Sequence, residues 1–133
     1  MSYDPERVGA YGKLVEVWAS DHYPLTLDYP THGDLRLDAT DDRGRPWDVK
    51  GSMVNSASRS TFKFWKDQHD LLAKKDGGYV LVWYRAREDS IDVVDSRTIQ
   101  ARALKIDNWT NPGATHYRSH SKEAQIPAHT LRP

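Results

Sequence analysis

The chain has 133 residues, a mass of 15.3 kDa and no cysteine. That is one domain's worth of polypeptide, large enough to bury about two-thirds of its unfolded surface, with disulfide frameworks, thiolate zinc sites and cysteine nucleophiles excluded. Nineteen Lys+Arg balance nineteen Asp+Glu, which argues against a simple polyanion binder. No apolar run approaches the ~20 residues of a membrane span and no signal-peptide pattern opens the chain, so a cytoplasmic protein without membrane attachment is expected.

The charge is unevenly placed. Residues 101–133 hold five basic against two acidic side chains, while Asp28, Asp34, Asp38, Asp41, Asp42 and Asp48 crowd one stretch. In chain order, Val8, Tyr11, Val15 and Trp18 recur at helical steps and predict a helix from Glu6 to about Ser20, with Asp4 as N-cap and Pro5 at the first helical position. Pro24 to Tyr29 predicts a short strand stopped by Pro30 and Gly33. Asp34–Thr40 and Trp47–Ser52 predict two more, and the turn composition of Asp41–Pro46 makes them a hairpin. After a polar loop, a second helix is predicted from about Phe62 to Asp76, capped by Ser60 or Thr61 and stopped by Gly77-Gly78. The run YVLVWY at 79–84 has the pattern of a strand buried on both faces. Ser90–Val94 predicts a further strand, and Ser96 caps a short third helix through Leu104. The order α-β-β-β-α-β-β-α gives an α/β (α+β) domain, a sheet with helices packed against it.

The stretch HGDLRLDATDDRGRPWDVKGS carries the chemistry. Alternation along a strand puts Asp34, Arg36 and Asp38 on one face, and Asp48 with Lys50 on one face of the next strand. A register with Asp38 opposite Asp48 gathers the charges together and keeps the apolar sides matched, whereas a one-residue slip undoes both. Paired carboxylates of this kind suit a hard cation such as Mg²⁺, which acidifies water and polarises a phosphoryl oxygen. A neighbouring lysine orients the water or stabilises the transition state. Asp34 and Asp38 are alternative first ligands, because strand parity does not separate them.

Asp34 followed fourteen residues later by Asp48-Val49-Lys50 resembles the PD-(D/E)XK nuclease core, the fold of type II restriction enzymes and archaeal Holliday-junction resolvases. The likeness extends over most of residues 6–95, through a helix, an acidic three-strand meander, a helix and further strands. It implies a restriction-endonuclease-like central mixed β-sheet of about five strands, with residues 1–104 as the nuclease-like core and 105–133 as a basic, aromatic extension of the same domain. Gly9-Ala10-Tyr11-Gly12-Lys13 resembles the family's G-x-x-G-E element, with Lys13 where the glutamate would stand and Glu16 one turn later as its substitute. Pro30 lies four residues ahead of Asp34, displaced from the proline that names the motif. Gln68, in the middle of the second helix's apolar stripe, matches a glutamine that reaches the active site in many such nucleases. The resemblance further implies phosphate contacts by Ser52, Arg59, Lys63 and Lys66, and the tail's Arg118 and Lys122 suit nucleic acid as well.

These readings imply a Mg²⁺-dependent DNA endonuclease, with Mn²⁺ able to substitute and no organic cofactor. Asp34 (or Asp38) and Asp48 hold the metal, Lys50 positions the water, and Gln68 and Glu16 support them. Small size and the lack of a separate recognition domain favour a structure-selective enzyme resembling the junction resolvases. A restriction-type or DNA-repair nuclease is the alternative within the class, and a catalytically inactive nucleic-acid-binding module is the alternative outside it. Two strand cuts from one metal centre per chain imply a homodimer, with Trp109, Tyr117 and Ile126 as contact points. His116 and His120 stand four apart, as zinc ligands on a helical turn do, but have no third ligand nearby.

Overall fold

The structure, a computed structural model, describes residues 5–56, 60–112 and 121–133, with side chains from Ala10 onward. The helix α1 (Pro5–His22) opens the chain. Strands β1 (Leu25–Thr26), β2 (Thr31–His32), β3 (Leu35–Arg36), β4 (Ala39–Asp41), β5 (Pro46–Met53) and β6 (Thr61–Trp65) follow. Then come α2 (Lys66–Lys74), β7 (Gly78–Ala86), β8 (Ile91–Gln100), a 3₁₀ turn at Ala101–Ala103, β9 (Glu123–Pro127) and a last 3₁₀ turn at Ala128–Leu131.

Five strands form the central sheet in the order β1-β4-β5-β7-β8. The β5–β7 pair is parallel and the other pairs are antiparallel, so the sheet is mixed, as expected. Parallel neighbours need a crossover, and here β6 and α2 supply it. β7 sits between β5 and β8 and is buried from Gly78 to Tyr84, which explains its unbroken apolar run. On one face of the sheet, Tyr11, Val15 and Ala19 of α1 pack against Val80, Val82 and Tyr84, with Trp47 and Val49 at the margin. On the other, Tyr79, Leu81 and Trp83 meet Leu37, Phe62, Phe64, Leu72, Ala101 and Leu104. The C-terminal segment belongs to this second layer: β9 pairs with β6, and Trp83 Nε1 donates to the Ala128 carbonyl at 3.0 Å.

The first parts of two predicted helices are strands. Phe62 and Phe64 are buried while Lys63 is exposed. That period of two makes Thr61–Trp65 a strand, and the helix begins only at Lys66. Residues 96–100 continue β8 instead of forming a helix, because β7 offers them a pairing edge as far as Gly78↔Gln100. The register of this long pair shifts by one residue at Trp83/Tyr84, where Val94 is bulged out of the pairing. Trp109 and Ile126 pack against the molecule's own core. Asp4, Arg59, His116, Tyr117, Arg118 and His120 lie outside the described residues. No helix among the described residues is long and apolar enough to cross a membrane.

Candidate active site

The β4–β5 hairpin sets the site. Its loop is Asp42-Arg43-Gly44, closed where the Asp41 N–H donates to the Arg45 carbonyl at 3.0 Å. Gly44 closes the loop at φ 74, the left-handed position that such a three-residue loop requires. The Asp41 carboxylate accepts four hydrogen bonds: from the Arg43 and Arg45 backbone N–H groups (2.9 Å each), Arg45 Nε (2.7 Å) and Trp47 Nε1 (2.9 Å). Burial opposes its charge, but the bonds from Trp47, Arg45 and Arg43 outweigh burial and hold the carboxyl at about 2. A loop pinned this firmly fixes strand register. Ala39 pairs with Trp47, and just beyond the ladder the Asp38 N–H donates to the Trp47 carbonyl at 3.2 Å, which brings the Asp38 carboxyl to that of Asp48.

β5 shows why its charged side chains gather. Trp47 and Val49 turn toward α1, so alternation sends Asp48, Lys50 and Ser52 to the opposite face. Asp48 is 5 % exposed and pairs with Lys50 Nζ at 2.9 Å. Asp38 accepts a hydrogen bond from the Val49 N–H at 2.7 Å. Its own carboxyl is pushed up to about 9, first by burial, then by the charge of Asp48 and a side-chain hydrogen bond to it. Glu16 of α1 adds to this shift and so lies within electrostatic reach. The Asp38 carboxyl therefore keeps its proton at neutral pH, because burial and the neighbouring Asp48 charge both disfavour its ionised form.

Of the two candidate first carboxylates, Asp38 is the one beside Asp48. Asp34 is exposed in the turn between β2 and β3, about 13 Å of extended chain away. Alternation does not carry between them because Leu37 and Asp38 belong to no strand, and Leu37 is buried in the α2-side core. Gln68 of α2 lies near the same segment, its Nε2 donating to the Arg36 carbonyl at 3.4 Å. Gln68 Oε1 is buried with no partner, an arrangement that costs about 1–3 kcal/mol until a donor arrives.

The other predicted contacts are spread more widely. Ser52 is buried and bonded to Ser60. Lys63 lies 3.5 Å from Glu123 across the β6–β9 pair, and Lys66 lies 2.9 Å from Asp70 on α2. Lys122 is exposed. Two neighbours escaped the sequence reading. Tyr79 pairs with Asp48 in the parallel register, and its hydroxyl bonds His69 Nδ1 at 2.8 Å. Tyr29 bonds Glu16 Oε1 at 2.6 Å. Only an expected pairing of β5 with β7, or of Tyr29 with α1, would have revealed them.

The donor set at Asp38 and Asp48 fits a hard divalent cation. The raised Asp38 carboxyl shows that positive charge is favoured beside Asp48, and Mg²⁺ favours one or two carboxylates plus water and substrate oxygens. Among the described residues no group of three or more His, Asp or Glu forms a complete metal cage. A family model described as a PD-(D/E)XK nuclease superfamily domain matches residues 1–130. No curated protein and no solved structure matches the chain.

Proposed function

The chain belongs to the PD-(D/E)XK nuclease superfamily, and on that premise we propose that it is a divalent-metal-dependent DNA endonuclease whose site is built on Asp38, Asp48 and Lys50. The single observation that supports this most is the facing carboxylate pair with Lys50 Nζ 2.9 Å from Asp48. Asp38 and Asp48 would hold the cation, with Mg²⁺ as the physiological ion and Mn²⁺ as a substitute. When bound, the cation supplies Lewis acidity at the phosphoryl group and offsets developing charge.

The chain's own residues do the rest. Lys50, half-buried beside Asp48, orients the attacking water with its remaining N–H donors and stabilises charge on the phosphoryl oxygens. Gln68 Oε1, an acceptor without a donor, takes a hydrogen bond from that water. Glu16, fixed by Tyr29, adds negative charge beside Asp38 and takes the role that Lys13 leaves open on α1. Arg59, Arg118 and Lys122 are left as candidates for contacts to the DNA backbone.

The preferred substrate is branched DNA of the Holliday-junction kind, cut by a homodimer that brings two centres to two strands. A panel of branched, duplex and single-stranded DNA, incubated with Mg²⁺ or with EDTA, tests the reading. Preferential paired cuts in the junction support it. Sequence-dependent duplex cutting moves the assignment to a restriction-type enzyme, cutting at lesions moves it to repair, and binding without cutting identifies an inactive module.

A further inference from the structure

Beside the acidic pair, two cations gather on one tyrosine. Tyr29 has φ 48, a left-handed conformation that a bulky aromatic residue adopts only where its surroundings over-determine it. Those surroundings are specific. The Tyr29 N–H donates to the Asp38 carbonyl at 3.2 Å, and the hydroxyl donates to Glu16 Oε1 at 2.6 Å while accepting a bond from Lys13 Nζ. Lys13 Nζ lies 4.9 Å and the Arg36 guanidinium carbon 4.5 Å from the ring centroid. The tyrosine thus ties both charges to α1 and to the segment that carries Asp38.

Both cations are exposed, and among the described residues neither forms an ion pair with a carboxylate. They are also close enough to repel: the Arg36 charge opposes protonation of Lys13, although the Tyr29 hydrogen bond, first, and then Glu16 favour it. Two like charges held together at the rim of an acidic site make an anion receptor. Stacking on a ring occupies the guanidinium's face and leaves its in-plane N–H donors free. Lys13, bonded once to the hydroxyl, keeps two donors. Arg36 is two residues from Asp38, about 7 Å along extended chain, and its carbonyl is tied to Gln68.

We propose that Lys13 and Arg36, mounted on Tyr29, form the subsite that grips a DNA backbone phosphate next to the one being cut. Its location beside the scissile bond rests on the nuclease reading, but its test does not depend on cleavage. The measurement is anisotropy of a short fluorescein-labelled DNA duplex over a NaCl series in EDTA. It compares the wild type with the double variant Lys13→Gln/Arg36→Gln, and with Lys74→Gln/Lys75→Gln, an equal loss of exposed charge at the far end of α2.

The first pair should lower affinity about tenfold or more near ~0.1 M salt and reduce the salt slope by about one, for the one phosphate that the two cations neutralise together. The control pair should change affinity less than about twofold. Wild-type-like binding by Lys13→Gln/Arg36→Gln overturns the subsite, and so does an equal loss in the control pair. Wild type that binds but never cuts DNA defeats the nuclease reading, while the salt slopes still decide the subsite. Absence of any DNA binding by the wild type defeats both.

Discussion

Replacing Asp38 by asparagine should stabilise the metal-free protein while abolishing its activity. In the folded chain the Asp38 carboxyl is pushed up to about 9, by burial first and then by Asp48, whereas in the unfolded chain it titrates at its ordinary value of 3.8. Folding at pH 7 therefore requires taking up a proton. Over the interval that separates 3.8 from pH 7, this costs about 2–4 kcal/mol. The amide has the hydrogen-bonding pattern of the protonated acid: its oxygen accepts from the Val49 N–H and its NH₂ donates to Asp48. The variant should thus melt about 5–15 °C higher in EDTA at pH 7. The sign with pH is definite. The wild type's native carboxyl has the raised pKa, so its contribution to stability is fully present below pH 4 and is lost as the pH rises toward 9. The variant's advantage must therefore vanish near pH 3 and be greatest near pH 9. Calorimetry or circular-dichroism melts of both proteins at several pH values give the comparison. A variant no more stable than wild type at pH 7, or an advantage that grows on acidification, would refute the reasoning.

Three further outcomes follow from the same geometry. Gln68→Ala should reduce kcat at least about tenfold while changing stability by less than about 1 kcal/mol, since it deletes an unsatisfied buried oxygen and one long hydrogen bond; paired melting and cleavage assays separate the two effects. Asp41→Asn should destabilise the fold by about 2 kcal/mol at pH 7, because an NH₂ group then faces the Arg45 and Trp47 donors. Asp41's native pKa is lowered, so its contribution is present above pH 4 and lost as the pH falls through about 2, and melting curves across that range show the difference disappearing in acid. Light scattering at assay concentration should give the mass of a dimer, and a strict monomer that still makes paired cuts would contradict the homodimer.

The sequence was most legible where one pattern dominated its surroundings. YVLVWY declared a buried strand, and DVK between apolar neighbours declared which side chains share a face. The turn composition between Asp41 and Pro46 pointed to a hairpin, and the four-donor carboxylate at Asp41 shows how that loop holds its register. Legibility failed where tertiary contacts override local pattern. Phe62 and Phe64 satisfy a helical stripe and a strand equally well on paper, and only pairing with residues 123–127 decides for the strand. Parity could not choose between Asp34 and Asp38 because the chain leaves the strand at Leu37 and bends at Asp38, and the burial of Leu37 among Phe64, Leu72 and Tyr79 is invisible to a count of alternate residues. Tyr29 offered no signal at all. Its part at the site comes from a left-handed backbone and from contacts with α1, thirteen and sixteen residues away.

Cleavage of supercoiled plasmid by the wild type, Asp48→Asn and Lys50→Ala, each with Mg²⁺ and with EDTA, tests the central claim most directly. The wild type should nick or linearise the plasmid with Mg²⁺ and leave it intact in EDTA. Both variants, with circular dichroism spectra matching the wild type, should lose at least about a hundredfold in rate, the loss expected when a group that stabilises the transition state is removed. Near-wild-type cleavage by either folded variant would contradict the assignment of Asp38, Asp48 and Lys50 as the active site.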